Sequence, residues 1–174
     1  MGFFRRIFNG KRDRAPLRPL YDDAVAYARD RRWFIDGEVP DTIDGRFDML
    51  ASVMALLLIR LEKDEATTRE ESALLAELFI DDMEGSLRQI GIGDLMVGKH
   101  VGKMMGALGG RLTAFRPAAR SGGDMAPAVR RNVFHDAPPS EAAVVFVAGR
   151  LEAFSRALEA APTAALLAGE LPQP

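Results

Sequence analysis

Residues 49–59, MLASVMALLLI, form the longest apolar run in the chain and constrain its fold more than any other segment. The run is too short to cross a bilayer, which takes about 20 apolar residues, and Arg60 follows at once. Runs of this length are usually buried core helices, and this one is apolar on nearly every side. Such a helix needs neighbours all round it. The segment therefore predicts a central helix, capped by Asp44, running to about Asp64 within a bundle.

The flanking sequence supplies those neighbours. PLYDDAVAYARDRRWF at 19–34 sets Leu20, Ala24, Tyr27 and Ala28 on one helical face, with Val25 beside them, before Gly37 and Pro40 break it. Thr67–Glu70 and Thr68–Glu71 form overlapping capping boxes for a third helix, with Leu74, Leu75, Leu78, Phe79, Met83, Leu87 and Ile90 as its apolar positions. Gly91 and Gly93 stop it, and Asp94 is placed to cap a fourth helix through Phe115. Asp124 opens a short helix to about Phe134, and Ser140 caps a long one through Leu158. After Pro162 a short Ala/Leu segment leads to a frayed LPQP end. No stretch alternates apolar and polar residues as a half-buried strand does. The reading is an all-α, single-domain helical bundle of about five to seven helices. It divides into a basic N-terminal arm at 1–17, a helical domain at 18–162 and a tail at 163–174.

Charge is uneven. Residues 1–18 carry +5 and the remaining 156 carry −7. An acidic body with a basic arm argues against nucleic-acid specificity, which would put the cations on the body. The arm, MGFFRRIFNGKRDR, lacks the long apolar stretch and cleavage site of a secretory signal. It interleaves Phe3, Phe4, Ile7 and Phe8 with Arg5, Arg6, Lys11 and Arg12. As a short helix it would set aromatics into a membrane interface with cations at the headgroups; otherwise it is a floppy tail. The chain has no cysteine, so it has no disulfides, thiolate nucleophile or thiolate metal site, and this fits a cytoplasmic protein. His100 and His135 stand alone, and no acid–base pair or triad emerges, so no cofactor is expected and an enzyme is disfavoured.

Two glycine patterns invite functional readings. Gly93 to Lys99 spells G-x-x-x-x-G-K, but a helical segment precedes it, Asp-Leu-Met-Val fills the loop, and His100 replaces the Ser or Thr that would bind Mg²⁺. It is not a phosphate loop. Gly98, Gly102, Gly106 and Gly110 then recur every four residues, a bare stripe costing about 1 kcal/mol of helix propensity per glycine relative to alanine. A compensating role is close approach of another helix, from within the bundle or from a partner. Stripes of this kind also pack helices in membranes, so a membrane-protein client helix is one such partner. Asp41, Asp44, Arg46 and Asp48 cluster before the central helix, either as a cap with an ion pair or as a charged patch for a partner. The spacing of that cluster fails the calcium-loop pattern. Glu77, Asp81 and Glu84 share a face with Arg88 following, either solvated or a contact for a basic partner. The Asp81-Asp82 pair is not a diphosphate-binding motif, since Gly85 follows and no second motif exists.

VPDTIDGRFDML, LFIDDM, LRQIGIGDLMVGKHVGKMMGALGGRLTAF and VRRNVF together resemble the ubiquinol–cytochrome c chaperone family, over about residues 20–160. Asp41, Asp44, Gly45, Arg46, Phe47 and Asp48 match one family segment, and Asp81 and Met83 an acidic one. Arg88, Gly91, Gly93, Asp94 and Lys99 match a third, with Gly110, Arg111, Arg131 and Asn132 matching later positions. Gln89, Ile90 and Phe115 depart from the usual Glu, Met and hydroxylated aromatic. The resemblance implies a non-enzymatic chaperone that binds newly made cytochrome b during assembly of respiratory complex III. In mitochondrial relatives it also implies a small partner subunit and contact with the ribosome. With no long transit peptide ahead of the first helix, it points to a bacterial member, cytoplasmic and peripheral to the inner membrane. The competing reading is a membrane-surface helical protein that binds lipid or quinone.

Overall fold

A computed structural model describes residues 14–134 and 138–173 of the chain. The arm residues Phe3, Phe4, Arg5, Arg6, Ile7, Phe8, Lys11 and Arg12 lie outside the described residues, as does His135. The helices are α1 (Arg18–Ala28), α2 (Arg32–Ile35), α3 (Ile43–Leu61), α4 (Glu65–Gln89), α5 (Asp94–Ser121), α6 (Ala126–Asn132), α7 (Glu141–Ala160) and α8 (Thr163–Leu167). Six of them have seven residues or more, and no strand occurs among the described residues. The all-α bundle predicted from the sequence is what forms.

α3 is the axle of this bundle. Every residue from Asp48 to Leu61 is buried, as the apolar run requires, and α1, α4, α5 and α7 pack around it. α4 follows α3 antiparallel after a 3-10 turn at Glu62–Asp64, while α7 runs parallel to α3. Arg60, near the C-terminal end of α3, donates from Nε to Leu158 O (2.9 Å) and from Nη2 to Ala161 O (2.9 Å). These bonds go to carbonyls at the end of α7, Leu158 O also accepting from Ala161 N (3.2 Å), and lock its C-terminal end beside that of α3. Arg60 also reaches Thr163 Oγ1 (3.1 Å), and Leu166 and Leu171 are buried, so the last segment packs onto the bundle where a frayed end was expected.

Local chemistry moves several helix boundaries. Thr42, not Asp44, caps α3: its Oγ1 accepts from Gly45 N (3.1 Å), which leaves Asp44 in the first turn facing the positive end of the helix. Thr67 and Thr68 do not open α4, because the 3-10 turn carries the chain straight into helix at Glu65. Thr68 is buried and its hydroxyl donates back to Leu61 O (2.7 Å). Gly93 is the N-cap of α5 with extended backbone, and Asp94 is the first helical residue. Asp124 does stabilise the start of α6, where its Oδ1 accepts from Ala126 N (2.7 Å). Ser140 caps α7 as predicted.

The single helix expected over 19–34 breaks into α1 and α2. Asp30 accepts from Arg32 N (2.9 Å), and the buried Trp33 indole donates to Tyr27 O (2.8 Å), folding the chain back on itself. Tyr27 stacks on Phe154 of α7 (4.6 Å between centroids), and the Arg150 guanidinium lies 4.2 Å from the Trp33 ring centroid, a cation–π contact. Burial pushes the Tyr27 hydroxyl up to about 12. The Asp30 carboxyl sits well below the usual carboxylate range, held there chiefly by its hydrogen bond to Arg32.

Gly45 is where the entry to α3 depends on the absence of a side chain, since a Cβ there would lie 2.0 Å from the Pro40 carbonyl oxygen. Gly45→Ala is expected to cost about 1–3 kcal/mol by overpacking against backbone, read as a lower midpoint in chemical denaturation.

Candidate functional site

The segments singled out in the sequence meet at one end of the bundle, where α1 and α4 finish and α3 and α5 begin. α1 and α4 run side by side there: Tyr21 donates to Asp82 Oδ2 (2.8 Å), and further along Val25 and Arg29 face Met83, Ser86 and Leu87. Phe47 and Leu50 of α3 and Met104 of α5 close the floor and far wall. The result is an open groove of about 240 Å³ with an apolar lining and a rim of Arg29, Arg46 and Gln89. Ile43 and Ile90 border it and stand 60% and 53% exposed. Sequence reading missed this groove, because its walls come from four helices and periodicity cannot show which apolar side chains stay uncovered.

The 41–48 cluster divides into surface and interior. Asp41 and Arg46 form an exposed ion pair (2.7 Å), which holds the Asp41 carboxyl below its usual range, and Asp44 is exposed beside them. Asp48 and Arg111 are buried, and each is the other's partner. Arg111 Nη2 also donates to Asn132 O (2.5 Å) and Nη1 to Ala107 O (3.2 Å), with the guanidinium 5.6 Å from the Phe47 ring centroid. Burial pushes the Arg111 guanidinium pKa down, and the Asp48 carboxylate opposes that. These two residues join α3, α5 and α6 beneath the groove. They offer no face to a partner, which corrects the expectation that they belong to a contact surface.

Asp81 is likewise engaged within the chain, taking Arg14 and so tying the first described turn to α4. Arg88 pairs with Glu84 (3.7 Å). Gly91 adopts φ +86°, the left-handed conformation that ends a helix, whereas Gly93 is extended. His100 Nδ1 lies 2.9 Å from Met96 O, a local contact within α5. No group of three or more His, Cys, Asp or Glu is placed to hold a metal among the described residues, and no described helix is long and apolar enough to cross a membrane.

The glycine stripe gives the sharpest result. Val97, Leu108, Arg111 and Phe115 are buried on the inner face of α5, and Gly98, Gly102, Gly106 and Gly110 are exposed on the outer one. A Cβ at any of the four would meet nothing within 4 Å among the described residues. None of the described helices crosses α5 at the stripe, so packing among them is not the reason for it. Lys99 and Lys103 share this exposed side.

The described residues thus form an all-α bundle with an open apolar groove at one end and a bare face along its longest helix. The family model described as ubiquinol-cytochrome C chaperone matches residues 36–172, and the chain belongs to that family. Among solved structures, the crystal structure of the Cbp3 homolog from Brucella abortus is similar with a TM-score of 0.79 and 29% identity, covering 91% of this chain and 88% of that one. No curated protein matches the chain by sequence.

Two stability outcomes follow. Gly102→Ala and Gly106→Ala are each expected to stabilise the protein by about 1 kcal/mol, since helix propensity rises and nothing is displaced, as measured by urea titration. Arg111→Met removes the guanidinium that pairs with the buried Asp48, and is expected to cost about 3–5 kcal/mol in the same titration.

Proposed function

We propose that this chain is a non-enzymatic assembly chaperone that binds newly synthesised cytochrome b during biogenesis of the ubiquinol–cytochrome c reductase complex. Family membership supports the assembly role. The observation that carries the choice of client is the glycine face of α5: it lowers helix stability, and nothing among the described residues covers it. A face without side chains lets a second helix backbone approach closely, a packing mode that transmembrane helices use. The client surface then consists of Gly98, Lys99, Gly102, Gly106 and Gly110, with the groove, Arg46 at its rim, and Asp41 and Asp44 beside Arg46. Asp48 and Arg111 act beneath it as positioning residues, and Gly91 and Gly93 set the turn that brings α4 and α5 together.

The working place is the cytoplasmic side of the inner membrane. There the basic arm, with Phe3, Phe4, Ile7 and Phe8 among its cations, holds the acidic body at an anionic surface. A small partner subunit and the ribosome, implied by mitochondrial relatives, are further candidates for the acidic ridge of α4.

The first experiment is a C-terminal tag, gentle solubilisation of membranes from cells making complex III, and identification of co-purifying proteins. Cytochrome b enriched without the mature complex's other subunits is the expected result. Retained lipid or quinone without cytochrome b would favour the carrier reading instead. The Gly102→Leu, Gly106→Leu double variant, with native helicity by circular dichroism, is expected to lose at least about tenfold in client capture, since filling the bare face blocks close helix approach. Undiminished capture by the folded variant would remove the stripe from the client surface.

A further inference from the structure

Four side-chain atoms among the described residues are buried and meet no hydrogen-bond partner: Tyr27 Oη, Glu71 Oε2, Arg111 Nε and Arg150 Nη1. Buried polar atoms are nearly always bonded, so each of these needs a physical reason. Tyr27 and Arg150 belong to one cluster, the joint where α1, α2 and α7 meet. Tyr27 is 6% exposed, and its ring stacks on Phe154 and meets the Trp33 ring edge-on, at 5.5 Å between centroids. The Arg150 guanidinium sits 4.2 Å from the Trp33 ring centroid and 5.6 Å from that of Tyr27, so one cation lies against both rings.

The other polar groups of the joint are already engaged. The Trp33 indole donates to the Tyr27 carbonyl, and Arg150 Nη2 donates to Asp30 Oδ2 (2.8 Å). Asp30 also accepts from the Arg32 backbone N–H and from its Nε and Nη2, the last at 2.6 Å. Four donors therefore share Asp30, about as many as a carboxylate accepts. What remains is one hydroxyl and one N–H, two donors with no acceptor. They are close neighbours: the Arg150 charge is the main influence pulling the Tyr27 pKa down against burial. The hydroxyl oxygen can itself accept, yet no bond from Arg150 reaches it directly.

We infer that this joint binds one internal water molecule, which accepts from Arg150 Nη1 and bonds the Tyr27 hydroxyl as a fixed part of the fold. A water oxygen serves two donors at once, and its own hydrogens can turn toward the hydroxyl oxygen, which no apolar side chain here can do. The water then ties α1 to α7 through Tyr27 and Arg150, beside the Asp30 bonds that tie in Arg32 of α2. α2 in turn holds the Phe34 ring centroid 5.9 Å from the Arg46 guanidinium, so the joint backs the rim of the groove. The inference rests on buried donors alone and is independent of the chaperone reading.

High-resolution crystals of the full-length protein, with and without a bromide soak, test this directly. The expected result is a water peak within about 3.2 Å of both Tyr27 Oη and Arg150 Nη1. A direct bond between those two atoms, or no density between them, would overturn the inference. So would an anomalous bromide peak there, which would make the occupant a small anion. In solution, Tyr27→Phe keeps the ring and its stacking while removing the hydroxyl. It is expected to lower the folded-to-unfolded ratio about fivefold by urea titration, because the water loses one of its two anchors. An unchanged or raised ratio would mean that the hydroxyl had no partner to lose, and would sink the idea. In a double-mutant cycle with Arg150→Met, loss of the hydroxyl should cost less once the guanidinium is gone. Additive costs would place the partner of the hydroxyl elsewhere and count against the water equally.

Discussion

A helix buried on every side tolerates charge only where the interior answers it. α3 carries two such charges, Asp48 near one end and Arg60 near the other, and each has its partners inside the protein. Leaving either group unpaired would cost several kcal/mol, comparable to the whole stability of a domain this size. The answers therefore set the geometry. Arg111 has to sit over Asp48, which fixes the rotation of α5 and brings the end of α6 with it. Arg60 has to reach the last carbonyls of α7, which fixes the axial position of that helix. Apolar burial supplies the driving force for the bundle, and these two sites select one arrangement of it.

The rotation of α5 has an outward effect. With Arg111 turned inward, the face half a turn away points to solvent, and that face bears Gly98, Gly102, Gly106 and Gly110. The same rotation brings Met104 to the wall of the groove. The buried pair and the two candidate surfaces are thus consequences of one constraint. Gly110 and Arg111 are adjacent in sequence, yet one is exposed to solvent and the other is closed inside.

Much of this was legible in the sequence because periodicity reports how much of a helix is buried. The run at 49–59 located the axle, and the spacing from Leu74 to Leu87 and from Val97 to Phe115 located its main neighbours. Boundaries were read less well where two chemistries competed for one end. Thr42 outcompeted Asp44 as cap, and the 3-10 turn at Glu62–Asp64 removed the gap that a capping box at Thr67 would have needed. The candidate site was the least legible. Asp41, Arg46 and Asp48 look alike as letters in a row, and only the direction of the first two turns of α3 separates a surface pair from a buried charge. A glycine repeat also reads the same whether it faces a neighbouring helix or water.

α5 is also the longest helix in the chain, twenty-eight residues from Asp94 to Ser121, with Pro117 removing one internal amide donor. From Gly98 to Gly110 every fourth residue of its outer edge has no side chain to shield the backbone from water, and glycine is the residue whose helical state is entropically most expensive. Its hydrogen bonds there open more cheaply than those of α3, which lie under other helices. The bundle therefore combines a stiff centre with a compliant outer rod. The helix best exposed for contact is also the one that bends to fit at the smallest cost to the rest of the fold.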